Sequence, residues 1–139
     1  MQGVAARYPA LVAGAQRLVD LENRINQCRS GRQGTPTLAF ESEELPGLSA
    51  YVASHSRGMA LKMAIDGGAA SHFERRRMLY ARRIGQMNLA CLNCHEHNAG
   101  RRLRACYSGV RAELPAYNAP DLLDLSLFLE WRGVAKAWP

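Results

Sequence analysis

The run Cys91-Leu92-Asn93-Cys94-His95 constrains this chain more than any other feature. Two thiols three positions apart, followed at once by an imidazole, form the C-x-x-C-H attachment pattern of c-type heme. The spacing has a mechanical basis. The thiols add to two vinyl groups on one porphyrin edge, and the histidine then lies beneath the ring with a nitrogen to offer to iron. Axial ligands and surrounding contacts set the potential of such a centre. Three other chemistries compete for the motif. Zinc needs about four ligands, and here only Cys106, His97 and more distant histidines stand ready to complete a set. A thioredoxin-like dithiol follows a strand in a βαβ pattern, which this sequence lacks. A nucleic-acid module would pair basic charge with a base-reading motif, and none is present. Covalent heme is the reading the residues favour.

The 139 residues suit one domain, or two small halves sharing an interface. Lys and Arg outnumber Asp and Glu by 18 to 12, a net charge of +6, which favours anionic partners without choosing among them. No apolar run approaches the roughly 20 residues that span a bilayer, so no membrane insertion is expected. Met1-Gln2-Gly3-Val4-Ala5-Ala6-Arg7 does not read as a signal peptide. Heme is attached outside the cytoplasm, so the expectation is either a true N-terminus upstream of Met1 or a truncated chain.

The periodicity predicts an all-α fold with no convincing strand pair. Pro9 suits a helix start, and Leu18, Leu21, Ile25 and Cys28 share one helical face up to Ser30-Gly31. A short helix is expected from about Leu48 to Ser56. Asp66-Gly67-Gly68 is the natural boundary between residues 1–66 and 67–139. Helix resumes from Ser71 to Arg83, breaks at Gly85, and returns from Arg101 to Val110. Pro115 marks an extended connection. In the last element Leu122, Leu125, Phe128 and Leu129 fit a helix capped by Asn118, begun near Pro120 and ended by Gly133.

A second constellation is Arg101-Arg102-Leu103-Arg104-Ala105-Cys106. Read plainly, it is a solvated basic face with a small buried cysteine. Read for chemistry, guanidinium groups depress the thiol pKa, the thiolate is a strong ligand for ferric iron, and the same cations hold an oxyanion. His55, His72 and His97 read as ordinary surface or core histidines.

Several of these stretches, in order, resemble SoxA. They are Leu21-Glu22-Asn23-Arg24-Ile25-Asn26-Gln27-Cys28-Arg29, Gly85-Gln86-Met87-Asn88-Leu89-Ala90, the arginine run through Cys106-Tyr107, and Ala112-Glu113-Leu114-Pro115-Ala116-Tyr117-Asn118-Ala119-Pro120 with its leucine-rich helix. The resemblance implies cytochrome c-like halves: a remnant N-terminal half over 1–66 that lacks its heme motif, and a C-terminal heme-binding half over 67–139. It implies a periplasmic L-cysteine S-thiosulfotransferase subunit that works with a SoxX-like cytochrome. Its reaction joins thiosulfate to a cysteine of a SoxYZ-like carrier, with electrons leaving through heme c. One heme is implied, attached by Cys91 and Cys94, with His95 and Cys106 on iron. Arg102 is then the substrate-side arginine, helped by Arg104, and Cys106 can carry a persulfide. Cys28 maps to the ligand of a second heme whose motif lies upstream of this chain.

The resemblance departs in one place: the family carries a longer stretch between the heme motif and the active cysteine. Here eleven positions separate His95 from Cys106. They reach about 36 Å extended but about 16 Å as helix, so ligation by both is tight. The alternatives are a simple electron-transfer cytochrome, with Met87 or another methionine as sixth ligand, and an inactive truncated relative.

Overall fold

The computed structural model describes residues 1–12, 17–62, 67–95 and 103–132. Among these residues six α-helices dominate: α1 (Leu21–Arg32), α2 (Glu44–Ser54), α3 (Ala70–Ala81), α4 (Cys91–His95), α5 (Leu103–Gly109) and α6 (Pro120–Arg132). Two antiparallel ladders of two residues each join them. β1 (Ala10–Leu11) pairs with β2 (Leu18–Val19), and β3 (Arg83–Ile84) with β4 (Leu89–Ala90). The chain is all-α in class, as expected. The ladders are an addition, because two residues are too few to display the alternation that marks a strand.

The first helix begins later than expected. Pro9 precedes β1, and Leu18 belongs to β2. The helix is started instead by Asp20, whose carboxylate accepts from Asn23 N at 2.7 Å and so satisfies an orphan donor of the first turn. It runs past Ser30-Gly31 to Arg32. α2 likewise starts four residues before Leu48. Asn118 does not cap α6: its backbone has φ of +63° and its side chain accepts from Asn23 of α1. Pro120 does occupy the first position of α6, where its missing N–H has no helical partner to lose. Asp66 and Gly133 lie outside the described residues.

α3 packs chiefly against α6. Tyr80, Leu103, Tyr107, Leu122, Leu125, Phe128 and Leu129 form the buried cluster between them and α5. Phe128 meets Tyr80 and Phe73 at ring centroid distances of 5.1 and 5.6 Å, the tilted arrangement that aromatic quadrupoles favour. Leu123 and Leu127, on another side of α6, receive Leu18 of β2 and so join the N-terminal residues to this core. Inside the same α3–α6 interface Asp124 and Arg76 are buried. The Asp124 carboxylate lies 2.8 Å from His72 Nδ1 and 3.7 Å from the Arg76 guanidinium, with the more exposed Arg75 at 3.8 Å.

The turn between β3 and β4 is clamped onto the end of α5. Gln86 N and Met87 N donate to the carbonyls of Arg111 and Val110. Gly85 permits this approach. Its φ is +68°, and a Cβ there would lie 2.2 Å from the Val110 carbonyl oxygen. Gly85→Ala is therefore expected to cost about 3 kcal/mol, combining left-handed strain with a backbone clash. Urea unfolding of the variant against the parent chain measures it.

Candidate functional site

The C-x-x-C-H motif forms one short helix. Residues at i, i+3 and i+4 share a helical face, so α4 turns Cys91, Cys94 and His95 the same way. Asn93 fixes its start: the side-chain oxygen accepts from Ala90 N at 2.8 Å, half of a reciprocal capping box. His95 is buried, Cys91 half-buried and Cys94 exposed.

These three residues line an apolar cleft of about 280 Å³ together with Cys106, and Ile84, Leu103, Tyr107 and Val110 are among its walls. Cys106 enters from α5, and its Sγ lies 3.2 Å from His95 Nε2. The eleven-position connection thus suffices to bring the sulfur back to the imidazole. No disulfide joins any of the four cysteines, which are all among the described residues.

Burial pushes the Cys106 thiol above its ordinary pKa, and Cys94 adds to the shift. Burial raises Cys91 in the same way, with Cys106 and Cys94 adding and Arg82 opposing. The sequence expectation of a thiol activated by its arginines is corrected here for Arg104. That guanidinium lies 3.8 Å from the Tyr117 ring centroid and donates to the Pro115 carbonyl. It lines a different hollow, shared with Phe40 and Tyr117. Arg101, Arg102 and His97 lie outside the described residues. His55 packs edge-on against Tyr51 on the surface, and His72 belongs to the Asp124 cluster. Cys28 sits half-buried on α1 and is not part of the cleft. Met87 is half exposed and also lines it.

Sequence reasoning missed the cleft walls on α5. Leu103 and Tyr107 of α5 and Val110 just after it recur at spacings of four and three, with Cys106 beside that stripe. The three arginines at 101, 102 and 104 interrupt this stripe and give the segment a basic character in sequence.

The donor set fits heme c. Two thiols and an imidazole project from one turn into an apolar cleft, and a second soft donor faces the imidazole.

Comparison with known proteins adds a second line. The SoxA/TsdA cytochrome c domain family matches residues 1–61, a stretch that ends before the C-x-x-C-H motif. The L-cysteine S-thiosulfotransferase subunit SoxA of Rhodovulum sulfidophilum is 39% identical, over 98% of this chain and 48% of that protein. Its counterpart in Pseudaminobacter salicylatoxidans is 29% identical, over 96% of this chain and 57% of that protein. The chain therefore spans about half the length of the curated relatives it matches. The crystal structure of SoxXA from P. pantotrophus superimposes with a TM-score of 0.86 at 26% identity, covering 96% of this chain and 62% of that one.

Proposed function

This chain is homologous to the SoxA cytochrome c domain, and from that premise we propose that it acts in thiosulfate oxidation as an L-cysteine S-thiosulfotransferase subunit. The observation that carries the reading is the 3.2 Å approach of Cys106 Sγ to His95 Nε2 inside the cleft that also holds Cys91 and Cys94. The chain divides into an N-terminal half, 1–66, and a heme-binding half, 67–139. Cys91 and Cys94 would hold one heme c covalently, and His95 and Cys106 would offer their nitrogen and sulfur to its iron. When bound, the heme supplies an acceptor that takes electrons one at a time.

The protein's own residues do the rest. His95 is buried and holds its Nε2 toward Cys106 at the cleft. Cys106 is the sulfur at which thiosulfate is handled, and Arg102 offsets the anion's charge by charge-assisted hydrogen bonds. The apolar walls exclude water, which strengthens that attraction. The net reaction joins a carrier thiol, R–SH, and S₂O₃²⁻ to give R–S–S–SO₃⁻, one proton and two electrons. The partners are a SoxX-like cytochrome and a SoxYZ-like carrier. The setting is the periplasm, where heme attachment and carrier meet. No helix among the described residues is long and apolar enough to cross a membrane.

The test is reconstitution. The chain, fused to an export signal and matured with heme, is mixed with a SoxX-like partner, thiosulfate and the carrier, and the carrier cysteine is weighed by mass spectrometry. A thiosulfonate adduct that depends on the chain supports the reading. A heme-loaded chain that transfers electrons but yields no adduct leaves a simple electron-transfer cytochrome.

A further inference from the structure

The N-terminal half carries no C-x-x-C-H motif, yet it reaches the helix that bears Cys106. The path starts at Asn26, buried on α1. Its side chain donates to the Leu38 carbonyl at 2.9 Å and accepts from Leu38 N at 2.8 Å. This pins the loop two residues before Phe40. Phe40 stacks on Tyr117, with ring centroids 5.6 Å apart and planes within 9° of parallel. The Tyr117 hydroxyl donates to the Glu41 carboxylate. The same Tyr117 ring receives the Arg104 guanidinium at 3.8 Å, and Arg104 stands two residues before Cys106 on α5.

α5 is only seven residues long. A helix that short has too little internal cooperativity to hold its own place, so its anchors set its rotation about its axis. Leu103 and Tyr107 anchor it in the core. Arg104 and Cys106 differ by about 200° around the axis at 3.6 residues per turn. A pull on Arg104 therefore turns Cys106 relative to His95.

We propose that Phe40, Tyr117 and Arg104 form a strap by which the N-terminal half positions the Cys106 thiol against His95. Tyr117 and Phe40 are positioning residues, not catalytic ones. The inference rests on the reading of Cys106 as the working sulfur. It gives the N-terminal half a role that needs no second heme: it holds the short helix in register.

Peptide-resolved iodoacetamide labelling of the full chain tests this, with Cys28 as internal reference. Tyr117→Leu and Phe40→Leu are each expected to raise the Cys106-to-Cys28 labelling ratio about fivefold, the population change that follows loss of one ring contact. Tyr117→Phe keeps the ring and stays within twofold of the parent. Phe40 is half-buried on a loop, so its variant carries the test independently of Tyr117. A ratio unchanged in both leucine variants, with helical content retained, overturns the proposal. A parent chain that takes up no heme would sink the function proposed above and leave this labelling ratio just as readable.

Discussion

Cys106→Ser is expected to reduce transfer of thiosulfate to the carrier cysteine by about a thousandfold or more and to leave heme covalently attached. The two halves of that expectation come from different residues. In the proposed reading attachment uses the thiols of Cys91 and Cys94, which sit on α4 and not on the helix that carries Cys106. Transfer needs a soft, polarisable sulfur facing His95, and a serine hydroxyl is neither a comparable nucleophile nor a comparable ligand for ferric iron. Losses of this size are typical when the reacting atom itself is removed. Serine is nearly isosteric with cysteine, so the half-buried position at the cleft wall is filled and the fold is retained. Carrier adduct by mass spectrometry reads the first half, and heme stain after denaturing electrophoresis reads the second. A serine variant of parental turnover would remove Cys106 from the chemistry.

Asp124→Ala destabilises the chain by about 3–5 kcal/mol, the largest stability loss expected of any single change here. Asp124 is 1% exposed and Arg76 is 0% exposed. Among the described residues, the Arg76 guanidinium makes no hydrogen bond. It relies on the Asp124 carboxylate at 3.7 Å for electrostatic compensation. Burial pulls the Arg76 pKa down to about 10, while Asp124 acts to raise it. Because the folded pKa lies below the unfolded one, the charged guanidinium opposes folding at all pH values below about 10. That cost eases only as pH rises through 10 toward the unfolded value. Removing Asp124 deepens the cost and also orphans His72. Urea unfolding at neutral pH measures the loss. Replacing both partners with apolar residues, Arg76→Met with Asp124→Leu, is expected to recover most of it, since a buried pair is often no better than a packed apolar one. A single-variant loss below about 1 kcal/mol would show that the cluster rearranges to rescue the charge.

The sequence makes the long amphipathic elements legible and the short ones not. α6 carries enough apolar residues at helical spacing, and α3 enough strong helix formers, for both to be placed within a residue or two. The ladders at 10–11 with 18–19 and at 83–84 with 89–90 are held by contacts between segments, which no local window records. Pro9 is compatible with a helix start but does not require one, and the Asp20 cap, a stronger signal, sits eleven residues later. At the site, Cys91, Cys94 and His95 are readable because one helical turn fixes their mutual geometry. The return of Cys106 to His95 depends on tertiary packing of α5 against Tyr80, Leu122 and Leu125, and spacing alone bounds that distance without choosing it. Arg104 illustrates the same limit: proximity in sequence to Cys106 suggested an anion partner, and tertiary stacking on Tyr117 takes it elsewhere.

Low-temperature EPR of the ferric protein, matured with heme, tests the central claim most directly. The account predicts a low-spin spectrum with thiolate character that disappears in Cys106→Ser. A high-spin spectrum, or a low-spin one of histidine–methionine type that the serine variant leaves unchanged, would contradict it.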